Sequence, residues 1–297
     1  MELKSYLKER CALVDEALER SLPAEDELPF SIHRAMHYSV FAGGKRVRPI
    51  LMLAACEAVG GTIADAMPAA CAMEMIHTYS LIHDDLPAMD DDDFRRGRPT
   101  NHKVFGEAIA ILAGDALLTE AFILMSSPEY AARVGAERLL PVIREIGHCA
   151  GSRGMVGGQV VDMESEGNRE IDLATVQYIH THKTGALMKA SVKAGAILGG
   201  AGKEALEAMT RYGEAVGLAF QIADDILDIE GTTEQLGKDA GSDEARGKAT
   251  YPAIMGLADS KRRARELVDI ALAAVAPFGD RAEPLREIAR YIVSRKS

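Results

Sequence analysis

Two aspartate clusters, Asp84-Asp85-Leu86-Pro87-Ala88-Met89-Asp90 and Asp224-Asp225-Ile226-Leu227-Asp228, are each fed by an apolar run that reads as helix. Carboxylates packed this closely raise one another's pKa, and at the end of a helix they also oppose the macrodipole. Something cationic must hold them ionised. Hard divalent ions do this, and Mg2+ takes only one or two protein carboxylates per ion, filling its octahedron with water and phosphate oxygens. Two such clusters facing one another would suit a diphosphate clamped between them, and a fold that brings the two Asp-bearing helices face to face is the expectation.

The remaining sequence supplies helices almost exclusively. Ala, Leu, Met, Glu and Arg crowd the periodic segments, while alternating runs of Val, Ile, Thr and Tyr bounded by turns are missing. The pattern predicts helices over approximately Leu3 to Leu22, Ser31 to Ala42, Ile50 to Val59, Asp65 to Asp85, Gly106 to Met125, Glu129 to Ala150 and Gly154 to Glu164. Further helices are predicted over Leu173 to Leu198, Lys203 to Ile229, Thr250 to Leu257, Ser260 to Ala274 and Ala282 to Arg295. Several are apolar around much of their circumference, including those that carry the Asp clusters, which places them in the middle of a large bundle. With 297 residues, 47% of them hydrophobic, and no linker or low-complexity segment, the chain reads as one all-α domain over residues 1–297. The polar stretch Gly231 to Lys248 reads as a loop insertion.

Charge and cysteine usage exclude other classes. A formal net charge of -11 opposes nucleic-acid binding, and Arg95, Arg96 and Arg98 make only a small basic patch. The start, Met1-Glu2-Leu3-Lys4-Ser5, has no apolar core of a secretory signal. Ala108 to Met125 is the strongest membrane candidate, but Asp115 and Glu120 interrupt it, so a buried core helix is the reading and no stable membrane insertion is expected. Cys11, Cys56, Cys71 and Cys149 are isolated, without a CxxC pair, which fits a reducing cytoplasm.

On the second Asp-bearing helix, Gln221, Asp224 and Asp228 fall at i, i+3 and i+7, one polar stripe in apolar surroundings. Buried carboxylates cost several kcal/mol each unless they pair or bind metal. In the first cluster, Pro87 lacks an N–H and disfavours helix at Leu86, so the helix kinks or ends there and Asp90 can turn back toward Asp84. Asp91, Asp92 and Asp93 extend the run and read as partly solvated. His77 lies seven residues before Asp84 and shares its face. Anion binders accompany the acids. Gly43-Gly44-Lys45-Arg46-Val47-Arg48-Pro49 combines flexible glycines, three cations and a proline stop, and Arg95-Arg96-Gly97-Arg98 directly follows the acidic run. Lys183-Thr184 interrupts a helix with Gly185 just after, Gln159 and Asp162 are three apart and could buttress a metal shell or be ordinary helix positions, and His180 and His182, two apart, face away from each other.

This ordered set resembles the trans-isoprenyl diphosphate synthases, most closely the bacterial farnesyl diphosphate synthases, over nearly the whole chain. The matching motifs are Gly43 to Pro49, the first Asp cluster with Arg95-Arg96-Gly97-Arg98-Pro99-Thr100, Gly158-Gln159 with Asp162, Lys183-Thr184, Phe220-Gln221 with Asp224 to Asp228, and Gly237-Lys238-Asp239. The resemblance implies an isoprenoid-synthase-type helical bundle around a central cavity, commonly homodimeric. It implies that Lys45, Arg48, His77 and Arg96 bind the diphosphate of isopentenyl diphosphate. Arg95, Lys183, Thr184, Gln221, Lys238 and Lys248 would serve the allylic substrate, with Lys183, Thr184 and Gln221 also stabilising the reacting carbocation. Asp84, Asp90, Asp224 and Asp228 would hold several Mg2+ ions, Mn2+ being a possible substitute. The implied reaction condenses isopentenyl diphosphate with dimethylallyl and geranyl diphosphates, giving (2E,6E)-farnesyl diphosphate.

Tyr79 and Ser80 are expected to set product length. Tyr79 lies five residues before Asp84, about 7 to 8 Å deeper along the helix at 1.5 Å per residue. In the resembling family a bulky aromatic here floors the cavity of farnesyl enzymes, whereas geranylgeranyl enzymes of the same spacing have a smaller or more flexible residue. Plain core is the competing reading of Tyr79. Competing functions are a geranylgeranyl diphosphate synthase, a terpene cyclase, a non-catalytic regulatory subunit of a synthase, and an acidic protein that buffers divalent ions. The intact Asp motifs and ordered basic sites argue against the last three. Gly237, Gly241 and Gly247 punctuate Thr232 to Lys248, where a closing lid is expected.

Overall fold

The computed structural model describes residues 2–167, 171–230 and 250–295. The chain runs α1 (Leu3–Ser21), α2 (Phe30–Val40), α3 (Val47–Ala58), α4 (Ile63–Asp84), a two-residue antiparallel pair (Phe94–Arg95 with Arg98–Pro99), α5 (Asn101–Phe105), α6 (Glu107–Met125), α7 (Pro128–Val134), α8 (Ala136–Ala150) and α9 (Met155–Ser165). It continues through α10 (Leu173–Ile179), a π-helical turn (His180–Thr184), α11 (Gly185–Leu198), α12 (Lys203–Glu230), α13 (Tyr251–Met255), α14 (Leu257–Val275), a 3-10 segment and α15 (Glu283–Ser294). Among the described residues the architecture is all-α apart from that two-residue strand pair.

Helices α3 and α11 form the central wall because both are apolar on opposite faces. Met52, Leu53 and Cys56 of α3, with Leu187, Ala190 and Ala194 of α11, join the core built on α1, α2, α4, α6 and α8. Ile50, Leu51, Ala54 and Ala55, with Met188, Val192 and Ala196, join the other, built on α12, α14 and α15. Burying each Leu, Ile or Met here contributes roughly 1.5–3 kcal/mol. The wall is close: a Cβ on Gly195 would strike the Met52 carbonyl, so only glycine lets the two backbones meet. Helix α4 starts at a capping box in which Thr62 and Asp65 satisfy one another's backbone N–H groups, and it delivers Asp84 at its last turn.

Several sequence expectations are corrected. Pro49 does not stop a helix; Arg46 adopts a left-handed conformation (φ 48°), α3 begins at Val47, and Pro49 sits in its first turn where no N–H partner is lost. The predicted helix Glu129 to Ala150 is two helices, separated at Gly135 (φ 84°), where an added Cβ would collide with Glu137. Helix α5 and the short strand pair carry too few residues for a periodic signal.

The largest correction concerns α6, which is not a buried core helix. Ala110, Ala113, Gly114, Leu117 and Ala121 pack toward α4, with Gly114 leaving room for the His83 ring. On the other side Ile111, Leu112 and Ile123 are 43%, 51% and 55% exposed, and Leu140 of α8 is also exposed. By length and composition alone α6 is apolar enough to cross a membrane.

Candidate active site

Helix α4 ends where Pro87 removes an N–H, and the chain folds back so that the Asp90 N–H donates to the Asp84 carbonyl at 2.8 Å. The Asp91 N–H then donates to Leu86 O at 3.1 Å, with Asp91 in a left-handed conformation (φ 51°). This turn sets the two carboxylates near each other. Burial first, then Asp90 and Asp85, push the Asp84 carboxyl up to about 6 against the opposing charges of Lys183 and Arg95. Asp85 points elsewhere, buried against Arg95, whose Nε lies 2.7 and 2.9 Å from its two oxygens. Arg95, expected at the allylic diphosphate, is thus held by the first cluster itself and reaches toward Asp92 at 3.9 Å.

Opposite this turn stands the π-helical segment His180–Thr184, in which the Gly185 N–H bonds to His180 O. A π turn inserts one residue into a helix and re-aims its side chains, a distortion frequent at functional sites. Two glycines clamp it. A Cβ on Gly158 of α9 would strike the Lys183 backbone nitrogen, and one on Gly217 of α12 would lie 3.0 Å from Gly185 Cα. The turn directs Lys183 to Asp162 at 2.6 Å. Burial works against the Lys183 ammonium, but Asp162, Asp84 and Asp90 outweigh it and hold the pKa above its ordinary value. His180 points the other way, stacked on Tyr251 (5.3 Å between centroids), and burial pushes it down to about 4. His182 stacks on Tyr178 instead.

Between these elements lies a cleft of about 570 Å³, lined by Arg48, His77, Tyr79, Ser80, Asp84, Gln159, Lys183 and Thr184 together with Leu86, Met89, Ile111 and Met155. Its lining joins a few charged groups, Arg48, Asp84 and Lys183, to a larger apolar surface, the form of a site for a charged head and a hydrocarbon tail. Tyr79 is 8% exposed and meets the His83 ring edge-on at 5.7 Å. The Ser80 hydroxyl donates to the His77 carbonyl at 2.8 Å. Gln159 has a buried Oε1 without a hydrogen-bond partner, so this side chain is available to something entering the cleft.

The cations are sorted by their neighbours. Arg46 is buried and neutralised, 2.7 Å from Glu74, 2.8 Å from Asp15, and donating to Val40 O. Arg48 has a buried, unpartnered Nε; burial works against its charge, with Arg96 adding to that, while Glu74 and Asp224 support it. Arg96 donates to Gly43 O, and its guanidinium fills the space a Cβ on Gly44 would occupy. Burial and the surrounding Arg48, Arg96 and Arg95 hold His77 well below the ordinary imidazole range. At neutral pH it is a neutral hydrogen-bonding group, and an arriving anion would favour its protonation. Lys45 does not share the cleft with Arg48. It lines a neighbouring cavity of about 220 Å³ with Phe220, Tyr291 and Arg295.

In the second cluster the structure separates residues that sequence periodicity could not. Asp225 is buried and accepts from the Tyr251 N–H at 2.9 Å, with His180 Nε2 at 3.4 Å and the Gln221 amide at 3.4 Å. It anchors α13 to α12. Asp224 is half-exposed, 2.6 Å from Arg295, and close enough to Lys45 and Arg48 to influence both. Asp228 is buried. Gln221 turns its amide to Asp225 and does not line the cleft. Arg295 was not among the residues picked from the sequence; its guanidinium stacks over Phe220 at 4.1 Å, a contact across 75 positions that no local pattern announces. Lys238, Lys248 and the expected lid lie outside the described residues.

No group of three or more His, Cys, Asp or Glu side chains among the described residues is close enough to hold a metal ion unaided. Asp84 and Asp90 nevertheless fit a hard cation: a carboxyl held near 6 by burial and a neighbouring carboxylate is short of positive charge. Such a pair suits Mg2+, which needs few protein ligands when substrate oxygens supply the rest. A pH effect follows. The folded pKa of Asp84 lies above the ordinary carboxylate value, so its proton stabilises the fold below about pH 4, and this contribution is lost as pH rises through about 6. In chelator, wild type should gain on the order of 1–2 kcal/mol relative to Asp84→Asn between pH 7 and 4.5. Parallel pH dependences of the two melting temperatures would show that Asp84 is not so perturbed.

The pattern of the polyprenyl synthetase family matches residues 30–277. The chain is 52% identical to a dimethylallyltranstransferase of Fischerella ambigua, covering 99% of this chain and 84% of that one. It is 48% identical to a geranylgeranyl diphosphate synthase of Cyanophora paradoxa, covering 99% and 97% respectively. Among solved structures it is similar to an FPP/GFPP synthase from Zymomonas mobilis, with a TM-score of 0.87, 38% identity and 98% of both chains covered.

Proposed function

The chain belongs to the polyprenyl synthetase family and is a trans-prenyltransferase, and on that premise we propose that it makes (2E,6E)-farnesyl diphosphate from isopentenyl diphosphate and dimethylallyl or geranyl diphosphate. The observation that carries this reading is Tyr79, a buried aromatic ring lining the cleft on the same helix as Asp84 and beneath it. A rigid ring limits a growing tail better than a flexible side chain does.

In this reading Asp84 and Asp90 of the first cluster and Asp224 and Asp228 of the second would hold Mg2+, which would supply positive charge to the departing allylic diphosphate. Lys183, with Lys238 and Lys248, holds the allylic diphosphate, and Arg95 orients the first cluster through Asp85. Arg48, Arg96 and His77 hold isopentenyl diphosphate, joined by Lys45 once its side chain turns from the neighbouring cavity toward Arg48. The allylic C–O bond breaks with its electron pair going to diphosphate. The alkene of isopentenyl diphosphate attacks the resulting cation, forming the new C–C bond, and a proton passes to the departing diphosphate. Thr184, and Gln221 if its amide swings from Asp225, direct their dipoles at the cation, while the apolar walls exclude water that would capture it.

Tyr79→Ala should shift the main product from C15 to C20 or longer in an enzyme that remains active; a C15 product from the active, folded variant would place the stop elsewhere. A second reading, geranylgeranyl diphosphate synthase, is favoured by the name of the Cyanophora relative. A C20 main product from the unaltered chain would establish it. The exposed Leu112 and Ile123 of α6, with Leu140 of α8, support a homodimer built on these helices, which sedimentation showing only monomers at micromolar concentration would contradict. Four free thiols support a reducing compartment such as the cytoplasm.

A further inference from the structure

A second cavity, of about 460 Å³, backs onto the same π turn that serves the Asp84 cleft. Lys183 and Thr184 line the cleft, while Thr181, His182 and Gly185 line the outer cavity. The apolar part of its lining is Cys149, Ala186, Ala215, Leu218, Leu267 and Ile270. Arg153, Lys189 and Arg211 also line it, opposed by the single carboxylate of Glu214, 4.0 Å from Lys189. Neither Arg153 nor Arg211 has an ion-pair partner among the described residues. In a chain of net charge -11, three cations around one hollow of mixed polar and apolar lining reverse the local field.

The geometry points to a regulatory site for an amphipathic anion of the prenyl diphosphate class, the chain's own product, an inference that rests on the function proposed above. Arginine forks match diphosphate oxygens, and the apolar lining accepts the isoprenoid tail. Because the anion's partners are Arg and Lys, binding there needs no metal. The coupling route is short. The π turn is wedged between Gly158 and Gly217 with no slack for a side chain, so a ligand that shifts His182 displaces Lys183, the next residue, from Asp162 and Asp84. Occupancy therefore lowers turnover.

The test uses the full chain and farnesyl diphosphate. Binding is measured in EDTA, and initial rates with Mg2+ at saturating substrates are measured with and without added farnesyl diphosphate. The comparison is Arg153→Glu/Arg211→Glu, whose two sites are exposed, so the core is left intact. The variant should lose at least tenfold in metal-free binding and lose the inhibition, while its rate without added product stays within about twofold of wild type. Inorganic diphosphate should displace the ligand at least tenfold less well than farnesyl diphosphate. Unchanged binding and inhibition in the variant, or equal displacement by inorganic diphosphate, would overturn the proposal. A wild-type chain with no elongation activity would instead overturn the function on which it rests, so the two failures are distinguishable.

Discussion

Asp84→Ala lowers turnover by more than about 1000-fold while leaving the helical fold intact. Removing one preorganised electrostatic stabiliser typically costs 100- to 1000-fold, and Asp84 is proposed to hold the metal that carries most of the leaving-group charge. The fold should tolerate the change, because burial and Asp90 already work against the Asp84 carboxylate, and Lys183 keeps its contact with Asp162. Circular dichroism and single-turnover rates at saturating Mg2+ check both halves. Near-normal turnover would remove Asp84 from the metal-binding set.

Arg48→Ala should lower kcat/KM for isopentenyl diphosphate by about 100- to 1000-fold, mostly through KM. Truncating one partner of a desolvated, hydrogen-bonded charge pair costs about 2–5 kcal/mol, and Arg48 offers a cleft-lining guanidinium whose Nε has no protein partner. Its neighbour Arg46 makes a control. That side chain is spent on Glu74 and Asp15, so Arg46→Ala should cost stability and should not act selectively on one substrate's KM. An Arg48→Ala effect confined to the allylic substrate would show the two diphosphate sites assigned backwards.

The contrast between Arg46 and Arg48 marks how far sequence reasoning reaches. Gly43 to Pro49 announced an anion-binding segment, but three cations in four positions look alike until Glu74 arrives from α4, 28 positions away. The same limit applies to Asp224 and Asp225. Helical periodicity placed Asp224 on the polar stripe with Asp228, yet only the packing of α13 reveals that Asp225 is occupied by the Tyr251 N–H. Pro87 was informative because its effect is local, and the turn that brings Asp90 back to Asp84 follows from it. The interruption at Lys183-Thr184 was visible, though its form as a π turn depends on Gly158 and Gly217 from two other helices. Helix α6 misled because an all-round apolar helix implies burial on all sides, while one chain covers only the side facing α4.

The measurement that bears most directly on the whole account is a product assay. The purified chain is incubated with isopentenyl diphosphate, dimethylallyl diphosphate and Mg2+, and the products are dephosphorylated and sized. The account predicts a C15 alcohol as the main product, absent when EDTA replaces Mg2+. No chain-elongated alcohol, under conditions where a control synthase works, would contradict it.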